Sequence, residues 1–199
     1  MKSHGDIIEI EDSISKDNQD LIESVFTDWS VNWAFNPSAS VGHEENVFQP
    51  YKTNRSIESP CFTHTIVTDN QQLNPPYIML FLPVLSAIPY SIDQVLRFKI
   101  NCTMPNNLDK SLYGMPHVDL YSYQKEYLTA IYYINDADGD TVLFDTFFND
   151  DVKKINEIKT IKPKKGKLVI FNGNRLHAGN TPKEKNYRLT ANINFTVYR

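Results

Sequence analysis

The sequence predicts a mainly β protein with supporting helices, its core an antiparallel sandwich or barrel. Three observations carry that prediction. From Val95 onward, Arg97, Lys99, Asn101 and Thr103 alternate with Phe98, Ile100, Cys102 and Met104, the period of a strand with one buried face. Six short segments follow, at 117–121, 127–135, 141–147, 155–161, 167–171 and 188–198, separated by Gly, Pro, Asn and Asp turns. Closely spaced strands of that kind build sandwiches and barrels. Helical spacing is confined to the first 94 residues. We therefore read 1–199 as a single domain, with 1–94 a helix-and-strand support and 95–199 the core.

Residues 6–10 alternate weakly and suggest an opening strand. Ser13 or Ser15 can cap a helix whose apolar face is Leu21, Ile22, Val25 and Phe26. Residues 28–33 leave that helix as an aromatic corner. Residues 36–60 are polar and broken by Pro37, Gly42, Pro50 and Pro60, so they read as irregular loop. His43, beside Glu44 and Glu45, reads as a solvated loop histidine. Residues 62–67 resemble a strand, with His64 a structural histidine. Residues 73–88 read as a buried helix opened by Pro75 and Pro76, which suit a first turn. Pro83 should kink or break it.

The bulk properties exclude several classes. A chain of 199 residues can bury about 70% of its unfolded surface and needs no disulfide staples. Cys61 and Cys102 show no CxxC spacing and read as reduced thiols of a cytoplasmic protein. Residues 77–90, the most apolar run, are too short to span a bilayer and contain two prolines. The N-terminus has no apolar signal-peptide core. A net charge of −4 speaks against a broad nucleic-acid footprint. Lys162, Lys164, Lys165 and Lys167 read as turn solvation around Pro163 and Gly166.

The chemistry gathers in the last third. In a strand, residues i and i+2 share a face, so His117 and Asp119 would present an imidazole beside a carboxylate. Alone, the tripeptide reads equally as an ordinary strand end. His177 follows the apolar run 168–171 and a turn, with small residues after it. Alone, it reads equally as a turn histidine. Two imidazoles and a carboxylate on one face of a divalent ion form the triad of non-heme Fe(II) oxygenases. Arg188 opens an apolar strand eleven residues later and wants an anionic partner, because an unpaired buried charge is costly. Alternation from Arg188 brings Thr190, Asn192 and Asn194 to its face, and Thr129, Ile131 and Tyr133 share another. Asn101 is a weaker candidate for the same lining.

The segments 97–101, 117–119, 128–135, 163–171, 174–179 and 188–195 together resemble the 2-oxoglutarate and Fe(II)-dependent oxygenases, in the branch of prolyl hydroxylase-like proteins and small phage or bacterial members. The resemblance covers roughly residues 95–198. It implies a double-stranded β-helix, the cupin-like jelly-roll, with helices against one sheet. It implies Fe(II) on His117, Asp119 and His177, and 2-oxoglutarate with its distal carboxylate on Arg188 and Tyr133. Thr129, Asn192 and Asn194 are further candidates for ordering the cosubstrate. A dioxygenase of this kind consumes O2, releases succinate and CO2 and hydroxylates a protein side chain or a small molecule; ascorbate is an allied reductant. Related halogenases replace the carboxylate ligand with a small residue, so Asp119 favours hydroxylation or demethylation. The acidic turn 136–140 is shorter than in many prolyl hydroxylases, which weakens any transfer of peptidyl-proline specificity. The alternative is a cupin-like metal protein of another class, an isomerase or a binding module, which Arg188 argues against.

Overall fold

The structure, a computed structural model, describes residues 7–37, 51, 53–57, 59–69, 71–106, 112–121, 123, 125–148 and 154–198. His43 and its neighbours lie outside them. The elements run β1 (Ile8–Ile10), α1 (Lys16–Phe26), β2 (Ala34–Asn36), β3 (Ser56–Ile57), β4 (Cys61–Thr68) and β5 (Gln71–Gln72). They continue with α2 (Pro75–Leu80), α3 (Leu82–Ala87), β6 (Ile92–Thr103), β7 (Tyr113–Gly114) and β8 (Leu128–Tyr133). β9 (Thr141–Phe147), β10 (Glu157–Ile161), β11 (Leu168–Asn172), β12 (Arg175–Gly179) and β13 (Arg188–Val197) complete them. No helix among the described residues is long and apolar enough to cross a membrane.

The major sheet has the order β1-β11-β8-β13-β6-β4-β2, with β5 on β4. A minor sheet, β10-β9-β12, faces it, and a parallel ribbon pairs β3 with β7. This is the double-stranded β-helix of the jelly-roll. The core between the sheets holds Ile131, Tyr133, Leu143, Ile161, Val169 and Phe171. The outer face of the major sheet is sealed by the helices. There Ile22, Phe26, Phe81 and Val84 pack on Phe98, Ile100, Tyr132 and Ile193. Each such side chain contributes about 1.5–3 kcal/mol by leaving water.

Helix α1 begins where Ser15 accepts from the Asn18 N–H at 3.4 Å. It docks through Gln19, whose Nε2 donates to Ile14 O at 3.0 Å. Gly166, at φ +82°, lies against that amide, where a Cβ would fall 2.5 Å from Gln19. The apolar face is narrower than the spacing suggests: Ile22 and Phe26 are buried, Leu21 is 52% exposed. The aromatic corner is likewise half formed. Trp33 packs edge-on against Phe26 and His64, whereas Trp29 is 94% exposed. His64 is structural, its Nδ1 against Asn32 O at 2.8 Å.

Four expectations need correction. Residues 73–88 break at Phe81 as Pro83 requires, since that proline lacks the N–H an unbroken helix needs and sits in the first turn of α3, but they are not a buried helix: α2 buries none of its residues and α3 only Val84. Residues 117–121 are not a strand; pairing there is one bridge between His117 and His177. Pro116, with no N–H to give, precedes it. Residues 175–179, not read as a strand, form β12. Finally, Lys164, Lys165 and Lys167 do not merely solvate a turn. Lys164 pairs with Glu11, Lys165 with Asp20 and Glu23, and Lys167, 8% exposed, with Glu9 and Glu11. These pairs tie the turn to β1 and α1.

Candidate metal centre

The bridge between His117 and His177 builds the site. Each donates its backbone N–H to the other's carbonyl, at 2.9 and 3.0 Å. Opposed residues in such a pair sit side by side, and the imidazole centroids are 4.6 Å apart. Both rings are oriented by a backbone carbonyl two residues back. His117 Nδ1 lies 2.7 Å from Met115 O, and His177 Nδ1 lies 3.3 Å from Arg175 O. An Nδ1–H so committed leaves Nε2 as the lone-pair atom, the arrangement metal-ligating histidines use. Phe171 packs edge-on against His177 at 5.2 Å.

Asp119 completes the group. The nearest ligand atoms of His117, Asp119 and His177 all lie within 4.8 Å of one another. His177 Nε2 is buried, has no hydrogen-bond partner among the described residues and stands 3.8 Å from Asp119 Oδ2.

The carboxylate of Asp119 is clamped on both oxygens. Arg97 Nη1 donates to Oδ1 at 2.9 Å and Asn194 Nδ2 donates to Oδ2 at 3.0 Å. The same Arg97 nitrogen donates to Asn194 Oδ1 at 3.2 Å, and Asn194 Nδ2 reaches Thr129 Oγ1 at 2.9 Å. Asn194, expected from the sequence to help order the cosubstrate, thus holds the carboxylate directly, and Thr129, expected in the same role, accepts from Asn194 behind it. Strand register explains this, since Asn194 opposes Thr129 on one side and Arg97 on the other.

These contacts set the charges. Burial alone would raise the Asp119 carboxyl, but Arg97 and the two imidazoles hold it far below the usual range. His117 is pushed down to about 4, first by burial and then by its neighbour His177. Near neutral pH the centre therefore offers one carboxylate and a neutral His117 imidazole, a donor set suited to a divalent transition metal.

A second feature faces the same cavity, which measures about 70 Å³. That is well below the roughly 300–1,000 Å³ of pockets that enclose whole drug-sized ligands. His117, His177, Ile131, Asn192, Thr141 and Arg188 contribute to its walls. Arg188 is 6% exposed. Its Nη2 donates to Thr141 Oγ1 at 2.7 Å, and Tyr133 donates its hydroxyl proton to the same oxygen at 2.7 Å. The Arg188 Nε is buried without a partner among the described residues. Burial raises the Tyr133 hydroxyl despite Arg188 close by, so it stays protonated. Tyr133 lies behind Arg188, with the guanidinium carbon 5.6 Å from the ring centroid.

Sequence reasoning assembled His117, Asp119, His177 and Arg188 but missed four contributors. Arg97 and Lys99 stood in plain view as the polar face of β6; the register with β13 turns that face inward. Thr141 carried no signal. Tyr127, 3% exposed, has its hydroxyl 3.3 Å from the Leu120 N–H and thus holds the chain just past Asp119. Gly173 makes room for it: a Cβ there would fall 2.1 Å from the Tyr127 ring.

Residues 106–196 match the model of the 2OG-Fe(II) oxygenase superfamily. No curated protein matches the sequence. Among solved structures, the non-heme alpha ketoglutarate dependent epimerase SnoN from nogalamycin biosynthesis superposes with a TM-score of 0.65 at 10% identity, over 98% of this chain and 79% of that one. A prolyl hydroxylase from Trichoplax adhaerens, solved with a hypoxia inducible factor peptide fragment, gives 0.58 at 15% identity, over 98% and 84%. The carbocyclase SnoK, also from nogalamycin biosynthesis, gives 0.57 at 8%, over 96% and 79%. At such identities these likenesses speak for the fold.

Proposed function

We propose, for a chain that belongs to the 2OG-Fe(II) oxygenase superfamily through residues 106–196, that His117, Asp119 and His177 hold Fe(II) and that Arg188 receives the distal carboxylate of 2-oxoglutarate. The carrying observation is the buried, partnerless Nε2 of His177 facing the Asp119 carboxylate. A buried polar atom without a partner is rare and costly, and a divalent cation supplies the missing contact. The partnerless Nε of Arg188 makes the same argument for an anion, because a buried guanidinium matches a carboxylate with paired N–H donors.

When bound, the metal and cosubstrate supply oxidising chemistry that consumes O2, releases succinate and CO2 and hydroxylates a C–H bond of a protein side chain or small molecule. The residues of this chain position and shield that chemistry. The Met115 and Arg175 carbonyls fix both imidazoles. Arg97 and Asn194 fix the carboxylate. Thr141 and Tyr133 aim Arg188, and Asn192 and Ile131 line the floor between them. The inter-sheet core excludes water from the closed side. We extend the proposal to a cytoplasmic location and to residues 1–94 acting as support for a single domain.

The test is an anaerobic titration of metal-free protein with Fe(II) and 2-oxoglutarate, followed by succinate release in air. A visible charge-transfer band, lost in His177→Ala and needing more 2-oxoglutarate in Arg188→Ala, is the expected result. Folded protein with no band overturns the proposal. Because SnoN is an epimerase and SnoK a carbocyclase, product analysis separates oxygen insertion from stereochemical inversion and ring closure.

A further inference from the structure

The inward row of β6 and β13, whose Arg188 lines the cavity, carries more positive charge than the proposed metal and cosubstrate neutralise. On the β13–β6 pair, Arg188 opposes Thr103, Thr190 opposes Asn101, Asn192 opposes Lys99 and Asn194 opposes Arg97. Opposed residues share a face. Arg188, Asn192, Asn101 and Thr103 all line the cavity, so Lys99 and Arg97 belong to the same inward row. Against these three cations stands one hydrogen-bonded carboxylate, Asp119, which Arg97 already occupies. Asp140 is near enough for Arg188 to sense but forms no ion pair with it. On the neighbouring strand β4, Cys61 faces the row as a thiol that burial pushes up and keeps uncharged. A divalent metal and a dianionic keto acid cancel, so the surplus survives when both are bound.

Lys99 holds that surplus. It forms no hydrogen bond or ion pair among the described residues, although its neighbours Arg97, Asn101 and Asn192 all belong to the site. Burial pushes its ammonium down to about 8; Arg97 adds to the shift, and Asp119 and Cys61 oppose it. A part-buried cation with no partner raises the energy of the empty protein, and an anion relieves it. We propose that the primary substrate is a small anionic molecule whose carboxylate or phosphate docks on Lys99. This rests on the functional reading above and names the substrate class for it.

The geometry also orients the substrate. Residues 97 and 99 are two apart on β6, about 7 Å along the strand. Arg97 touches Asp119 directly. An acid group on Lys99 thus leaves the reacting carbon several bonds away, toward His117 and Asp119. At about 70 Å³ the cavity is too small to enclose a whole substrate beside the cosubstrate, so the rest of the substrate lies at its mouth.

The test uses full-length protein labelled with [13Cε]lysine and loaded with Zn(II) and 2-oxoglutarate, a redox-silent complex. The Lys99 signal is assigned by its loss in Lys99→Arg. Inorganic sulfate and acetate are then titrated separately, with glycerol as the neutral control. A saturable shift of that signal with an anion and none with glycerol is expected. Sulfate alone points to a phosphate ester, acetate alone to a carboxylic acid, and a response to both supports the shared chemistry. Affinity measured calorimetrically should fall roughly tenfold or more in Lys99→Gln, the loss of one charge-assisted hydrogen bond. It should be largely restored in Lys99→Arg, which also controls for folding. If 2-oxoglutarate binds but neither anion moves the Lys99 signal, the anionic-substrate proposal alone is overturned. If 2-oxoglutarate itself does not bind the Zn(II) protein, the functional reading fails and takes this proposal with it.

Discussion

The Nε2 atom of His177 lies 3.8 Å from Oδ2 of Asp119, with both side chains less than 5% exposed. A hydrogen bond would need a shorter approach, so the pair faces a gap rather than closing it. Replacing His177 by Ala should therefore abolish tight divalent-metal binding while leaving the apo fold intact. Calorimetry with Co(II) and a far-ultraviolet CD spectrum read the two effects. Undiminished Co(II) affinity in the variant would remove His177 from the metal centre.

Asn194 is fully buried and donates to both Asp119 and Thr129. Asn194→Ala frees Asp119 to rotate and leaves buried acceptors without a donor. We expect metal affinity to drop by about 10–100-fold, as for other residues that orient ligands. Unfolding stability should fall by about 1–3 kcal/mol. Chemical denaturation and metal titration of the same preparation separate the effects.

Arg188→Met should act in opposite directions on stability and binding. Without ligand, the buried guanidinium has Thr141 as its hydrogen-bond acceptor and no ion pair among the described residues. An apolar side chain of similar length removes the penalty of a buried, incompletely paired donor group, on the order of 1–3 kcal/mol. The variant should melt higher than wild type without 2-oxoglutarate and gain far less on its addition. A melt below that of wild type, with the usual gain on adding 2-oxoglutarate, contradicts the assignment.

Lys99 gives a pH signature. Its folded value of about 8 lies below the ordinary lysine value of 10.5. Between those values the unfolded chain holds a proton that the folded chain has released, so stability from this group rises with pH. Below about pH 8 both states are charged and the folded state carries the full penalty. Lys99→Met should be more stable than wild type at pH 7, with the gap closing as pH approaches 10.5. Arg97, Asp119 and Cys61 are the titratable groups that act on it, and all remain in the variant. Denaturant midpoints at a series of pH values measure the gap; a gap constant with pH rules out a lowered Lys99.

Gly166 tests how the helical layer meets the sheets. Its positive φ and the Gln19 amide at 2.5 Å from a hypothetical Cβ leave an L-residue two conflicts. Gly166→Ala should destabilise by about 1–3 kcal/mol from backbone strain alone. A thermal melt shows it, and metal affinity should hardly change because the site lies on the other side of the sheet.

Much of this molecule was legible in one dimension. The strand pattern from β6 onward is written in period-two alternation, and Ser15, Pro83 and Gly166 mark local breaks that depend on neighbours in sequence. His117, Asp119, His177 and Arg188 could be singled out because imidazole, carboxylate and guanidinium in apolar surroundings are chemically conspicuous. The single-bridge geometry at His117 was not legible, because a strand and an isolated bridge place the same residues in the same order.

What the sequence by itself determined is the set of side chains able to bind a metal and an acid, and the periodicity that makes strands of the segments carrying most of them. What only the tertiary structure decided is which polar residues face that set. Arg97, Lys99, Thr129 and Asn194 acquire their roles from the register of β13 against β6 and β8. Register is a long-range choice, and a slip of one residue would turn each of these side chains to the opposite face.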